Sequence, residues 1–397
     1  MFEEFSLRLA LWWRSRSTAV TAHLARRSFA RPPFSPAVGV IRVAAVQMRP
    51  RLLSDARQFA DHVYELVRSA VQQGAELVVF PDHVSLSLLT LVPGLSSLTE
   101  HASLEEALAA VGEAGDEAAG DGSVGIADVV TVATPAFRRL YRATFSTLAR
   151  RFGVHIASGG TMLAERDGRV LSVSHLYGPS GRVLAQQAKT HLTALERRWG
   201  LGVGEDLRVV DTALGRVALT GSMESAHFEP YRLLAAAGAD LALLSGAELG
   251  RPQPWRPMRG IWARAQEARL YGVQGALVGE AFGLTFAGPA AIYAPLALTP
   301  ARDGVLAVAE SADEDEVVVA DLDIGALRRL RDGEASPRNE AMIGHYLPLL
   351  YTRPWPWAEE TAADAAHGAP PLPGERGQGD SEPTSPAPAG AQGREEG

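Results

Sequence analysis

The chain has 397 residues, 46% of them hydrophobic, a formal net charge of −8 and no cysteine. That length and apolar content suffice for a large core. The mean hydropathy of −0.01 and the absence of any apolar run of about 18 residues argue against a membrane-spanning helix. The acidic balance disfavours a general nucleic-acid binder, and the lack of cysteine removes disulfides, thiolate zinc sites and thiol catalysis.

Residues 1–38 stand apart. Their six arginines, two acids and scattered aromatic residues read as a poorly ordered basic extension. The lesser reading is an amphipathic contact with a membrane or partner through residues 1–36. The segment lacks the apolar core and small-residue cleavage site of a secretory signal, so a cytoplasmic location is expected. "VIRVAAVQM" (40–48) is a buried strand. Ser54 reads as the N-cap of a helix reaching Gln73, which Gly74 ends before the strand "AELVVF" (75–80). Residues 95–135, with the Ala/Glu-rich stretch 104–122 dissolving into glycines, read as an exposed helical insertion. A helix over about 135–151 follows, then "GVHIASGG".

Two strands, "RVLSVSHLYG" and "RVLAQQAKTHL", flank "GPSGR" and form a hairpin. Strands are expected at "DLRVVDT", "RVALTG" and "ADLALLS", the last two joined by a helix over 229–237. Another helix lies in "WRPMRGIWARAQEARLYG", and strands recur at 274–279, 290–294, 305–310 and 316–322. Hairpins mixed with strand–helix–strand units predict an α/β fold, with sheets covered by outer helices. From about Ala358 the chain is rich in Pro, Gly, Ser and Glu, and 358–397 reads as a disordered tail.

Three segments together resemble the nitrilase superfamily of carbon–nitrogen hydrolases. "GAELVVFPDHVSLSLLTLVPG" is similar to the family's strand ending in Pro-Glu. "QQAKTHLTALERRWGLGVGEDLRVVDTALGRVAL" is similar to its lysine segment, and "TGSMES" to its Cys-Tyr-Asp elbow. "DEVVVADLDIGALRRLR" fits its last strand, so the likeness spans about residues 40–331. It implies a four-layer α-β-β-α sandwich over a domain at 39–357, pairing as a homodimer. It also implies a glutamate base, a lysine and a cysteine nucleophile, with a second glutamate nearby and no cofactor.

The positions that match carry altered residues. Lys189 fits the lysine and Glu196 the second glutamate. The base position holds Asp82, one methylene short, and the cysteine position holds Ser222. Glu224 replaces the elbow's Asp, and His227 with Phe228 replaces a Phe-Pro pair. Arg269 is kept where Tyr271 and Gly272 replace a Glu-Asn. A thiol of ordinary pKa about 8.5 is made accessible as thiolate by a nearby carboxylate and lysine, whereas a serine hydroxyl needs a well-placed base. The predicted consequence is loss of cysteine-dependent C–N hydrolysis, leaving a ligand-binding or scaffold subunit.

The alternative is an active hydrolase using Ser222, with Asp82 or His227 as base and Lys189 holding the oxyanion. His83 and His227 are the histidines that could complete such a site. A ligand would be an amide-like, nitrile-like or carboxylate-bearing small molecule. Trp199, Trp255 and Trp262 read as packing anchors, and no spacing suggests a metal site.

Overall fold

The computed structural model describes residues 14–29, 37–93, 125–251 and 256–333, with isolated positions at 11, 95, 104, 106, 253, 339 and 341–345. Residues 1–334 form one compact unit and 335–397 a second. Of the second unit only 339 and 341–345 are described, the latter as a helical turn. The tail expected at 358–397, the glycine-rich part of the 95–135 insertion and Trp255 lie outside the described residues.

Strand β1 (Val40–Met48) organises the molecule. Its apolar residues point alternately to opposite faces, as a strand's period of two requires. It pairs in parallel with β2 (Leu77–Val79) and antiparallel with β16 (Glu316–Asp323). Its last residues, Gln47 and Met48, pair in parallel with β11 (Tyr271–Leu277). On one side of β1 the order continues from β2 through β3 (His155–Ala164) and β4 (Val170–Tyr177) to β5 (Val183–Ala188). On the other it runs from β11 through β9 (Leu241–Gly246) and β8 (Gly215–Gly221) to β7 (Val209–Thr212).

The side chains sort into layers. Ile41, Val43 and Ala45 share an inner core with Leu241, Leu243, Val217 and Leu219 from the other arm. Their neighbours Ala44 and Val46 face outward, under helices α2 (Ala56–Gln72) and α3 (Ile126–Phe152). Ala242 and Leu244 face outward under α5 (Phe228–Ala236) and α6 (Ile261–Ala268). This is a four-layer α-β-β-α sandwich, as the resemblance implies. Among the described residues no helix is long and apolar enough to cross a membrane.

Three expectations need correction. Residues 17–25 of the basic extension form a helix, α1 (Ser17–Ala25), whose Val20 and Leu24 are fully buried. Burying two such side chains is worth about 1.5–3 kcal/mol each. Its basic end is neutralised by α2: His23 Nε2 lies 2.7 Å from Asp61 Oδ1, and Arg27 bonds the same carboxylate. Phe29 meets Phe152 of α3 edge-on at 4.8 Å. Second, α3 begins at Ile126, not near 135, so residues 126–135 belong to a regular helix and not to an exposed insertion. Pro135 lies inside this helix, which runs through it. Third, the N-cap of α2 is Asp55, whose carboxylate accepts from Arg57 N at 2.6 Å. The Ser54 hydroxyl is engaged by Gln58 Oε1 instead.

Asp315, just before β16, joins three segments. It accepts from His62 Nε2 of α2 at 2.8 Å, from Arg49 N at 2.8 Å and from Arg51 Nη2 at 2.5 Å. Burial opposes its charge, but His62 and the Arg49 N–H outweigh burial and bring its pKa from 3.8 down to about 2. The unfolded chain therefore binds this proton at higher pH than the folded one. The stabilisation is complete above the unfolded pKa and is lost as pH falls through about 2. In Asp315→Asn, the urea midpoint is expected to fall less steeply than in the wild type as the pH drops from about 5 to about 2.

Candidate active site

The site lies where the C-terminal ends of β2, β5 and β8 converge. Beyond β2, Phe80 N donates to Ala157 O and Asp82 N donates to Gly246 O, fastening this turn between the two arms of the sheet. Strand β3 bulges against it between Ala157 and Gly160. A side-chain carbon at Gly160 would stand 1.8 Å from Asp82 Oδ1, so only glycine fits there. Asp82 is 1% exposed. Its Oδ1 accepts from His83 N at 2.9 Å and from Ser172 Oγ of β4 at 3.2 Å, and its Oδ2 from Lys189 Nζ at 2.9 Å.

Lys189 follows β5, fixed by its N–H to Ser172 O and its carbonyl to Gly204 N. Its ammonium also bonds Glu196 Oε1 at 2.5 Å. Glu196 sits in the first turn of α4 (Ala194–Arg198). Its Oε2 accepts from Thr193 N at 2.7 Å and Thr193 Oγ1 at 2.9 Å, a capping box written in the sequence as Thr-x-x-Glu. His83 adopts left-handed backbone angles, φ 54° and ψ 25°. For a non-glycine residue that costs on the order of 1–3 kcal/mol. It directs His83 Nε2 to Glu196 Oε1 at 2.9 Å, with the ring edge-on to Trp199 at 5.6 Å.

The electrostatics follow from burial opposed by pairing. Burial disfavours the Lys189 ammonium, but Asp82, Glu196 and Glu224 outweigh it and raise the pKa. Burial likewise disfavours the Asp82 and Glu196 carboxylates. Lys189 and His83 reverse that for both, so both stay ionised at neutral pH. For His83, burial is outweighed by Asp82 and Glu196, and its pKa is raised. Asp82, His83 and Glu196 bring potential metal-ligand atoms within 4.8 Å of one another, a grouping that sequence spacing does not reveal. The Lys189 ammonium already bonds the two carboxylates, so a metal ion would have to displace it.

Ser222 follows β8 in helical backbone geometry, half-buried, at the start of a 3-10 turn (Met223–Ala226). Its carbonyl accepts from Ser225 Oγ at 2.6 Å, while its hydroxyl makes no hydrogen bond among the described residues. The preceding Gly221 packs against Lys189: a carbon added there would lie 3.1 Å from Lys189 Cε and 2.6 Å from Glu224 Oε2. Glu224 is buried, its Oε1 taking Thr190 N at 2.6 Å and Thr190 Oγ1 at 3.0 Å, its Oε2 unpartnered.

Asp82, His83, Lys189 and Glu196 thus form one bonded cluster, with Glu224 and Ser222 at its side. His227 does not join it, being exposed and stacked on His191 at 4.7 Å. Ser172 and Gly160 are site residues that carry no motif in the sequence, whereas Gly221 lies in the TGSMES elbow.

The family profile described as Carbon-nitrogen hydrolase matches residues 42–332. The chain belongs to the carbon–nitrogen hydrolase family. This carbon–nitrogen hydrolase homologue is 26% identical over 298 residues to the "Probable hydrolase YhcX" of Bacillus subtilis (strain 168), a match covering 73% of the chain and 51% of that relative. The chain therefore spans about half that relative's length. It is 29% identical over 293 residues to a "Nitrilase" of Pyrococcus abyssi (strain GE5 / Orsay), covering 74% of the chain and 93% of the relative. Among solved structures, a double mutant of the amidase from Nesterenkonia sp. AN1 in complex with acrylamide shares the fold. The TM-score is 0.56 at 21% identity, over 79% of this chain and 100% of the amidase.

Proposed function

We propose that this carbon–nitrogen hydrolase homologue binds a small amide-bearing or carboxylate-bearing molecule against Lys189, without the cysteine-dependent hydrolysis of its relatives. The Nesterenkonia amidase is described with an active-site cysteine that takes up acrylamide; here no cysteine exists. The observation that carries the reading is the state of Asp82. Its carboxylate is engaged by Lys189, Ser172 and the His83 N–H, and the Ser222 hydroxyl has no hydrogen bond to it. A serine needs such a bond for activation. His83 Nε2 is held by Glu196, and His227 is exposed and stacked on His191, which supports the same reading.

Binding is a separate matter from turnover. An ammonium has three donors, and Asp82 and Glu196 take two. The third is the donor for a ligand carbonyl or carboxylate oxygen. Butyramide, a ligand of the Nesterenkonia amidase, is expected to raise the denaturation midpoint of the purified chain saturably. At a hundredfold excess over Kd the gain is about 2.7 kcal/mol. An equal response to butanol, or no response to butyramide or acrylamide, would contradict amide recognition.

A further inference from the structure

A second cavity lies on the other side of the sheet from Asp82. Along β4, Ser172 faces the cluster and bonds Asp82, while Val173, His175 and Tyr177 point the opposite way, as strand alternation dictates. Together with α3 and the edge strand β5 they enclose a cavity of about 120 Å³. It is lined by Arg138, Tyr141 and Arg142 of α3, by Glu165, and by His175 and Tyr177.

Three of its polar groups have no hydrogen-bond partner at an atom that could face a ligand, among the described residues. His175 is 9% exposed, and its Nδ1 has no hydrogen-bond partner. Tyr177, 1% exposed, makes no hydrogen bond with a described residue. A buried polar atom without a partner, as His175 Nδ1 is, is costly. Burial first, then Arg138 and Arg142, lower the His175 pKa to about 4. At neutral pH the ring is therefore uncharged, with one N–H to donate. Arg138 is already paired, with Nη2 3.1 Å from Glu165 Oε1 and 3.0 Å from Ala164 O. Arg142 is exposed and has no ion pair or hydrogen bond among the described residues. Tyr141 is occupied by Ser158 O and Gly159 O of β3. Among the described residues the cavity thus presents one guanidinium without an ion pair and two neutral donors.

We infer that this cavity binds a small oxyanion, held by Arg142 at its mouth and by His175 and Tyr177 within. A guanidinium with neutral N–H and O–H donors is the pairing that recognises carboxylate or phosphate oxygens. The volume admits a molecule the size of acetate or inorganic phosphate, which share that chemistry.

The test uses the full chain labelled with ¹⁵N-histidine, following the His175 imidazole while acetate or inorganic phosphate replaces chloride at constant ionic strength. A saturable shift of the His175 resonances in either arm is expected, with its pKa raised by about one unit or more, as an adjacent anion requires. Saturation by acetate alone assigns a carboxylate, and by phosphate alone a phosphate. Arg142→Gln removes an exposed side chain that has no partner among the described residues, so folding is retained, and is expected to weaken binding about tenfold or more. His175→Gln, read by calorimetry, is expected to do the same. No saturable shift with either anion, or the same Kd in Arg142→Gln as in the wild type, would overturn the assignment.

Discussion

Replacing Lys189 with methionine is expected to destabilise the folded chain by about 3–5 kcal/mol. Lys189 is 5% exposed and bonds two carboxylates that are each 1% exposed. Removing the ammonium leaves the Asp82 and Glu196 carboxylates buried together, with the His83 side chain still bonded to Glu196. The loss belongs to that uncompensated charge and is larger than the net worth of the intact pairs. Because both carboxylates have lowered pKa values in the fold, their pairing stabilises above their unfolded values, about 4, and is lost as pH falls through the folded ones. The difference between wild type and Lys189→Met is therefore largest near neutrality and shrinks in acid. Adding Asp82→Asn and Glu196→Gln to Lys189→Met is expected to restore part of the stability in guanidinium denaturation. A loss below about 1 kcal/mol would mean that the cluster is more open to water than its burial indicates.

The second large effect concerns chemistry. A cysteine in this position would ionise with help from a carboxylate and a lysine, and that help is what Asp82 and Lys189 still resemble. Ser222 gains little from it. Its hydroxyl is a much weaker acid than a thiol, and the one carboxylate in the base position is held at Oδ1 and Oδ2 by other donors. Asp82 is also shorter than glutamate, and a displacement of about 1 Å can reduce a rate roughly a hundredfold. Loss of a working nucleophile costs on the order of 10⁶ in kcat where it has been measured in a hydrolase. Turnover of simple amides and nitriles is accordingly expected at background, and Ser222→Ala is expected to leave both rate and stability unchanged.

Local signals made much of the fold legible. Strand β1 is readable to the residue because a nearly continuous apolar run is bounded by Gly39 and by Arg49-Pro50. The hairpin of β4 and β5 was readable because Gly178 and Gly181 bracket its turn. Helix α1 was not, since the partner that neutralises its basic end, Asp61, is 38 residues from His23. The residues of the site were legible through the family resemblance, but their bonding was not. The His83–Glu196 contact joins residues 113 apart and depends on a left-handed backbone that no periodicity announces. His227 illustrates the reverse. It is close to Ser222 in sequence, but the 3-10 turn between them carries it to the surface. The cavity around His175 has no motif, because its members are ordinary strand and helix residues brought together by α3 crossing β4.

Ammonia release from butyramide by the wild-type chain and by Ser222→Ala, prepared identically, tests the proposed loss of hydrolysis most directly. Equal release from both, indistinguishable from the buffer rate, is the expected result. Release by the wild type above that rate, abolished in Ser222→Ala, would show that Ser222 is a working nucleophile and contradict the loss.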